Sequence, residues 1–161
     1  MLKTALLVSA ALALAAGAAP NLASAQVKRV GPATSGISSV VSVPPGAGIV
    51  YVAGMTAGGG GQPIPASMDT KAQTIVVLDK LKAALAGEGL TFADVTMMNV
   101  YLVGVPANEG RMDSAGMNEA YRQYFGTADQ ANKPARVTVQ VAALGGPTTL
   151  VEISVQAARM K

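Results

Sequence analysis

Cysteine, histidine and tryptophan are all missing from this 161-residue chain. Without cysteine there is no disulfide framework, no thiol nucleophile, no thiolate metal site and no lipobox for a lipid anchor. Without histidine the commonest general base and the commonest zinc ligand are gone as well. Aromatic residues are scarce at 4%, and charged residues make up only 13%. The lysines and arginines stand singly rather than in runs, with few rings to stack bases, so the chain carries no electrostatic footprint for nucleic acid.

What is present begins with a leader. Lys3 supplies a positive start, Ala5 to Ala19 form a largely apolar run, and Ala23-Ser24-Ala25 makes an A-x-A site before Gln26. The run is shorter than the roughly 20 residues needed to span a bilayer, so residues 1–25 are expected to be a cleaved secretory signal. An exported protein that begins at Met1 instead of Gln26 would overturn this. The mature chain, 26–161, is then a single domain, periplasmic or secreted, with no membrane attachment. Removing Lys3 from 12 basic and 9 acidic residues leaves 11 against 9, or +2.

Periodicity predicts the order β-β-α-β-α-β-β. Ile37–Val43 and Ile49–Gly54 read as a hairpin around Pro44-Pro45-Gly46-Ala47-Gly48. The loop containing Gly58 to Gly61 lacks the Gly-Lys-Ser/Thr ending of a phosphate-binding loop. Ser67 caps a helix running to about Ala86, with Leu78, Leu81 and Leu85 on its apolar arc and Gly87 and Gly89 at its end. A strand over Val95–Val103 leads to a second helix over Arg111–Phe125. A closing hairpin, turning at Gly145-Gly146-Pro147, pairs a strand beginning at Arg136 with one beginning near Val151. Two helices and about five strands predict an α+β fold with both helices on one face of a mixed sheet.

The closing strands alternate strictly. Val137, Val139 and Val141 oppose Arg136, Thr138 and Gln140, and Val151, Ile153 and Val155 oppose Glu152, Ser154 and Gln156. Turning both valine faces toward the helices puts Arg136 and Glu152 on one polar surface. Two readings stay open. The surface is either a solvated sheet face with ordinary charges, or a site at a subunit contact. In the second, Arg136 grips a carboxylate bidentately and Glu152 handles a proton or a water.

Several pieces then fall into a familiar series. They are Val52-Ala53-Gly54; Gln73-Thr74 with Leu78, Leu81-Lys82-Ala83, Leu85 and Gly89; Val100-Tyr101-Leu102; Met117-Asn118-Glu119-Ala120-Tyr121 with Tyr124-Phe125; Pro134-Ala135-Arg136 with Val139-Gln140-Val141-Ala142; and Val151-Glu152-Ile153. In this order and spacing the chain, from about Ile49 onward, resembles the Rid/YjgF family of imine/enamine deaminases. The resemblance implies a chorismate-mutase-like (YjgF-like) α+β fold and a homotrimer with a barrel-like centre and ligand clefts between subunits. It implies Arg136 as the anchor for a substrate carboxylate and Glu152 as the group that orients or activates water. It further implies that Asn118 lines the cleft and that Thr138 helps hold the ligand through its backbone. The implied reaction turns imines of the 2-aminoacrylate type into 2-keto acids and ammonia, with neither a metal nor an organic cofactor.

The chain departs from the pattern at one wall of the cleft. The family's Gly-Pro-Tyr-Ser-type motif is met by Gly31-Pro32 followed by Ala33-Thr34-Ser35, while alignment backward from Gly54 puts Val40 there; neither supplies the tyrosine. The loops around Pro44–Gly48 and Pro106–Gly110 are also longer than the pattern. A non-catalytic trimer that binds small carboxylates or 2-keto acids is therefore the alternative. A holdase-like role has only the low charge in its favour.

Overall fold

In the computed structural model, residues 26–59 and 63–160 are described. The leader expected over residues 1–25 and part of the glycine run lie outside them. The elements are β1 (Lys28–Val30), β2 (Val40–Ser42), β3 (Gly48–Thr56), α1 (Thr70–Gly87), β4 (Val95–Val105), β5 (Arg111–Met112), α2 (Ser114–Tyr121), β6 (Ala135–Val141) and β7 (Val151–Arg159). Among the described residues no helix is long and apolar enough to cross a membrane.

α1 shows why its residues make a helix of this length. Asp69, not Ser67, is the N-cap, its carboxylate accepting from the Ala72 amide at 2.7 Å. At the other end Gly89 adopts φ 68°, its amide bonding Ala86 O, while the Leu90 amide reaches back to Leu85 O at 2.8 Å. That pair of bonds is a Schellman ending, and Leu85 and Leu90 close it with an apolar contact in the core. Val77, Leu78, Leu81 and Leu85 are fully buried. Gln73 is fully buried as well, donating to the carbonyls of Met68 and Thr148 and accepting from the Leu150 amide. It clamps the start of α1 to the lead-in of β7, leaving none of its side-chain groups unpaired.

The main sheet runs β3–β7–β4–β6, with β5 paired to the last two residues of β4. β7 is antiparallel to both neighbours, and β6 is parallel to β4. Both helices cover one face. Beneath them lie Met98, Val100 and Leu102 of β4 and Val151, Ile153, Val155 and Ala157 of β7, packed on α1 and on Met117 and Tyr121 of α2.

Three local expectations change. β2 pairs with β1 in a small separate sheet rather than forming a hairpin with β3. α2 is only eight residues, capped by Asp113 rather than starting at Arg111, and continues past Tyr121 as turns to Gly126 at φ 73°. Most consequentially, β6 and β7 do not form a hairpin. They take opposite edges of β4, so the 142–150 connection carries the chain across that strand.

Candidate active site

The parallel pairing of β6 inverts its faces. Arg136 stands beside Met98, Thr138 beside Val100 and Gln140 beside Leu102, which puts all three on the helix-covered side. Val137 and Val139 point to the bare side and are 41% and 38% exposed. Glu152 opposes Tyr101 on β4, again on the bare side. Arg136 and Glu152 thus lie on opposite faces of one protomer's sheet with β4 between their strands, not on a shared polar surface. Alternation sets the period of a strand; its neighbours decide which face is covered.

Arg136 sits at the start of β6, directly over the end of α2. Its guanidinium carbon is 4.5 Å from the centre of the Tyr121 ring. Nη2 donates to Asn118 Oδ1 at 2.8 Å, and Nη1 approaches Met117 Sδ at 3.8 Å. Residues 117, 118 and 121 share one helical face, so a single turn of α2 supplies the whole cradle. The ring beneath is fixed in turn. Tyr121 stacks on Phe125 at 4.7 Å, and Phe125 packs on Phe92 at 4.7 Å. Burial pushes the Arg136 pKa down, with Arg122 adding to the effect and Tyr121 opposing it. An arginine keeps its charge under such pressure. Among the described residues no carboxylate lies within salt-bridge distance of it, the ion pairs being Lys71–Glu119 and Arg159–Glu88.

A cleft of about 470 Å³ opens above this guanidinium. One wall is Asn118, Tyr121 and Arg122; the other is the N-terminal loop from Ala33 to Ile37. That loop is stitched down from below. Lys133 Nζ donates to the carbonyls of Ser35 at 2.7 Å and Ala33 at 3.2 Å. Ser38 Oγ donates to Lys133 O at 2.6 Å, and the Ser38 amide to Pro134 O at 2.9 Å. The segment after Gly31-Pro32 therefore faces Arg136, whereas Val40 is exposed on β2 away from the cleft. Ala33, the residue after Gly31-Pro32, lines this cleft, and the Tyr121 ring beneath Arg136 comes from α2.

The structure thus brings Arg136 and Asn118 together. Thr138 lies on the same face two residues along, with a buried hydroxyl that has no partner, outside the cleft lining. Glu152 occupies a second place of its own. β3 carries one extra residue between Val52 and Met55 relative to β7, and a Cβ built on Gly54 at that bulge would overlap the Glu152 carboxylate. Gly54 is what lets Glu152 lie flat across β3. Tyr121, Arg122 and Lys133 escaped the sequence reading. Tyr121 appears there only within the Met117-to-Tyr121 piece of the resemblance, and no periodic signal marks the other two.

The family model described as Endoribonuclease L-PSP matches residues 28–159. The chain belongs to the Rid/YjgF family. Its fold is that of the Rid family protein YyfB from Yersinia pestis (27% identity, TM-score 0.65, covering 81% of this chain and 97% of that one). It is also similar to a YjgF/YER057c/UK114 family member from Mycobacterium tuberculosis (31% identity, TM-score 0.52, 76% and 86% covered). A RutC family protein of Pyrococcus horikoshii is 42% identical over 76 residues, 47% of this chain and 52% of the relative. The chain spans about half the length of the curated relatives it matches. Rid/YjgF membership accounts for the layout of helices and sheet; the aromatic seat of Arg136 and the Ala33 wall are read from this chain's own residues.

Proposed function

We propose that this Rid/YjgF protein is an exported hydrolase of small imines and enamines that bear a carboxylate, releasing 2-keto acids and ammonia at the Arg136 cleft. The observation that carries the reading is a half-buried guanidinium, seated on Tyr121 and oriented by Asn118, that lacks a carboxylate partner among the described residues. A desolvated cation of fixed orientation is a binding site for a planar anion. The substrate carboxylate docks on Arg136 beside Asn118, and the backbone at Thr138 contributes further along the strand. Water then adds to the C=N carbon, a proton passes to nitrogen, ammonia departs and C=O remains. Such imines hydrolyse unaided, so holding the imine and a water in register is the catalytic task.

Glu152 is the water-handling group in this reading, and its position on the other sheet face requires a second subunit. The bare face exposes Ile49 and Tyr51 at its β3 edge and Val137 and Val139 at its β6 edge, apolar surface that favours assembly. In a homotrimer packed through that face, Arg136 of one chain works with Glu152 of the partner subunit.

Purified protein should accelerate imino-acid hydrolysis, and Arg136→Ala and Glu152→Ala should each abolish most of it. Co-assembling the two inactive variants should restore about a quarter of the sites, since random mixing gives each interface an intact pair with that frequency. An active Arg136→Ala enzyme would sink the reading, and absence of any recovery on mixing would sink the shared site. The separation of Arg136 from Glu152 within a protomer, together with Ala33 at the cleft wall, favours one second reading: a binder of small carboxylates. It predicts thermal stabilisation by 2-keto acids without turnover.

A further inference from the structure

Three cations and no carboxylate line the cleft: Arg122, Lys133 and Arg136. They are not equivalent. Arg136 is committed to Asn118 and the Tyr121 ring. Lys133 directs its ammonium at the Ala33 and Ser35 carbonyls and holds the loop wall. Arg122 follows Tyr121 at the end of α2, is exposed, and its side chain hydrogen-bonds none of the described residues. Glu119, the nearest acid in sequence, pairs its carboxylate with Lys71 at 2.7 Å and feels the Arg122 charge only as a weaker contribution beyond that pair. Arg122 nevertheless acts on Arg136, because its charge helps push the Arg136 pKa down. One monocarboxylate on Arg136 leaves that second guanidinium, at the cleft lining, without a hydrogen-bonded partner among the described residues. The volume of about 470 Å³ lies in the range that encloses ligands well above three carbons in size.

We propose that the cleft selects 2-imino acids whose side chain ends in a second carboxylate, with Arg136 holding the carboxylate next to the imine and Arg122 the distal one. Arg122 is then a specificity-determining residue. This deepens the hydrolase reading and rests on it for the reaction, but the binding preference stands on the lining residues alone. The second anion screens the repulsion between the two guanidinium groups, so a dicarboxylate gains from both contacts where a monocarboxylate gains from one.

The test uses two stable product analogues, 2-oxoglutarate and 2-oxobutyrate, titrated calorimetrically into the wild-type protein, Arg122→Gln and Arg122→Glu, with circular dichroism confirming that each is folded. The wild type should bind 2-oxoglutarate about tenfold tighter than 2-oxobutyrate. Arg122→Gln should bring the ratio close to one and Arg122→Glu should reverse it. Equal affinities in the wild type, no binding of either acid, or a ratio that Arg122→Gln leaves unmoved would overturn the proposal. Hydrolysis of imino acids generated in place by an amino-acid oxidase, with acidic or neutral side chains, separates the two readings. No acceleration of either class defeats the hydrolase reading while the titration still decides the preference. Acceleration without discrimination defeats the preference alone.

Discussion

β7 is hydrogen-bonded along both edges and lies under the helices, with Val151, Ile153 and Val155 buried. β6 borders β4 alone, turns Val137 and Val139 toward solvent, and tucks Arg136 and Thr138 beneath α2. The two strands have the same alternating pattern, yet the apolar half faces inward in one and outward in the other. The difference lies in their surroundings. β7 has α1 above it, so its apolar side has a core to join. β6 has only the end of α2 above it, and the aromatic ring there suits a guanidinium stem and head better than a row of valines. Its own valines are left as a surface for another chain.

The comparison can be broken most directly in the core. Ile153→Ala should lower unfolding stability by about 2–5 kcal/mol in denaturant melts; a loss no larger than that at β6 would erase the distinction. The seat of Arg136 gives the next effect. Burial pushes the Tyr121 phenol up to about 12, with Arg136 opposing. The folded state therefore favours the neutral phenol, a contribution fully present below the unfolded value near 10 and lost as pH rises through about 12. It amounts to about 2–3 kcal/mol. Melts between about pH 9 and pH 12 should show this alkaline loss, and Tyr121→Phe should flatten it, leaving the slope from Tyr124, which burial and the Asp79 hydrogen bond also push up to about 12. An unchanged profile would mean that the ring beneath β6 is not enclosed.

On the bare face, Gly54→Ala should cost about 1 kcal/mol, because the new methyl forces the flexible Glu152 carboxylate aside. Adding Glu152→Ala should recover most of that loss, and strict additivity of the two changes would show that they do not touch. The smallest effect belongs to β6. Val139→Asp should change the folded chain's own stability by less than about 1 kcal/mol while sedimentation reports loss of larger species. Unfolding of the variant would place Val139 in a core.

Much of this is legible in the sequence. The apolar arc of α1 and its glycine ending follow from local chemistry, as does the order of the main elements. The Met117-to-Tyr121 segment and Arg136 were marked by resemblance, and α2 and β6 do bring Asn118 to Arg136. The partners of the strands were not legible. A turn at Gly145-Gly146-Pro147 reads as a hairpin, and nothing within ten residues reveals that β4, some 30 residues earlier, takes β6 on one edge and β7 on the other. The same non-local pairing hid Arg122 and Lys133. They reach the cleft only once β6 lies parallel to β4 and the N-terminal loop is fastened to Lys133.

The strand that joins β3 to β4 in the sheet is the last in chain order among the described elements. β3 and β4 make no ladder with each other; each is bonded to β7, which begins at Val151. Without residues 148–159, β3 has no partner in the main sheet, α1 has only part of its floor, and Gln73 lacks Thr148 and Leu150. A chain stopped at Leu150 loses the shared partner of β3 and β4 and should give an unfolded polypeptide rather than a shortened domain.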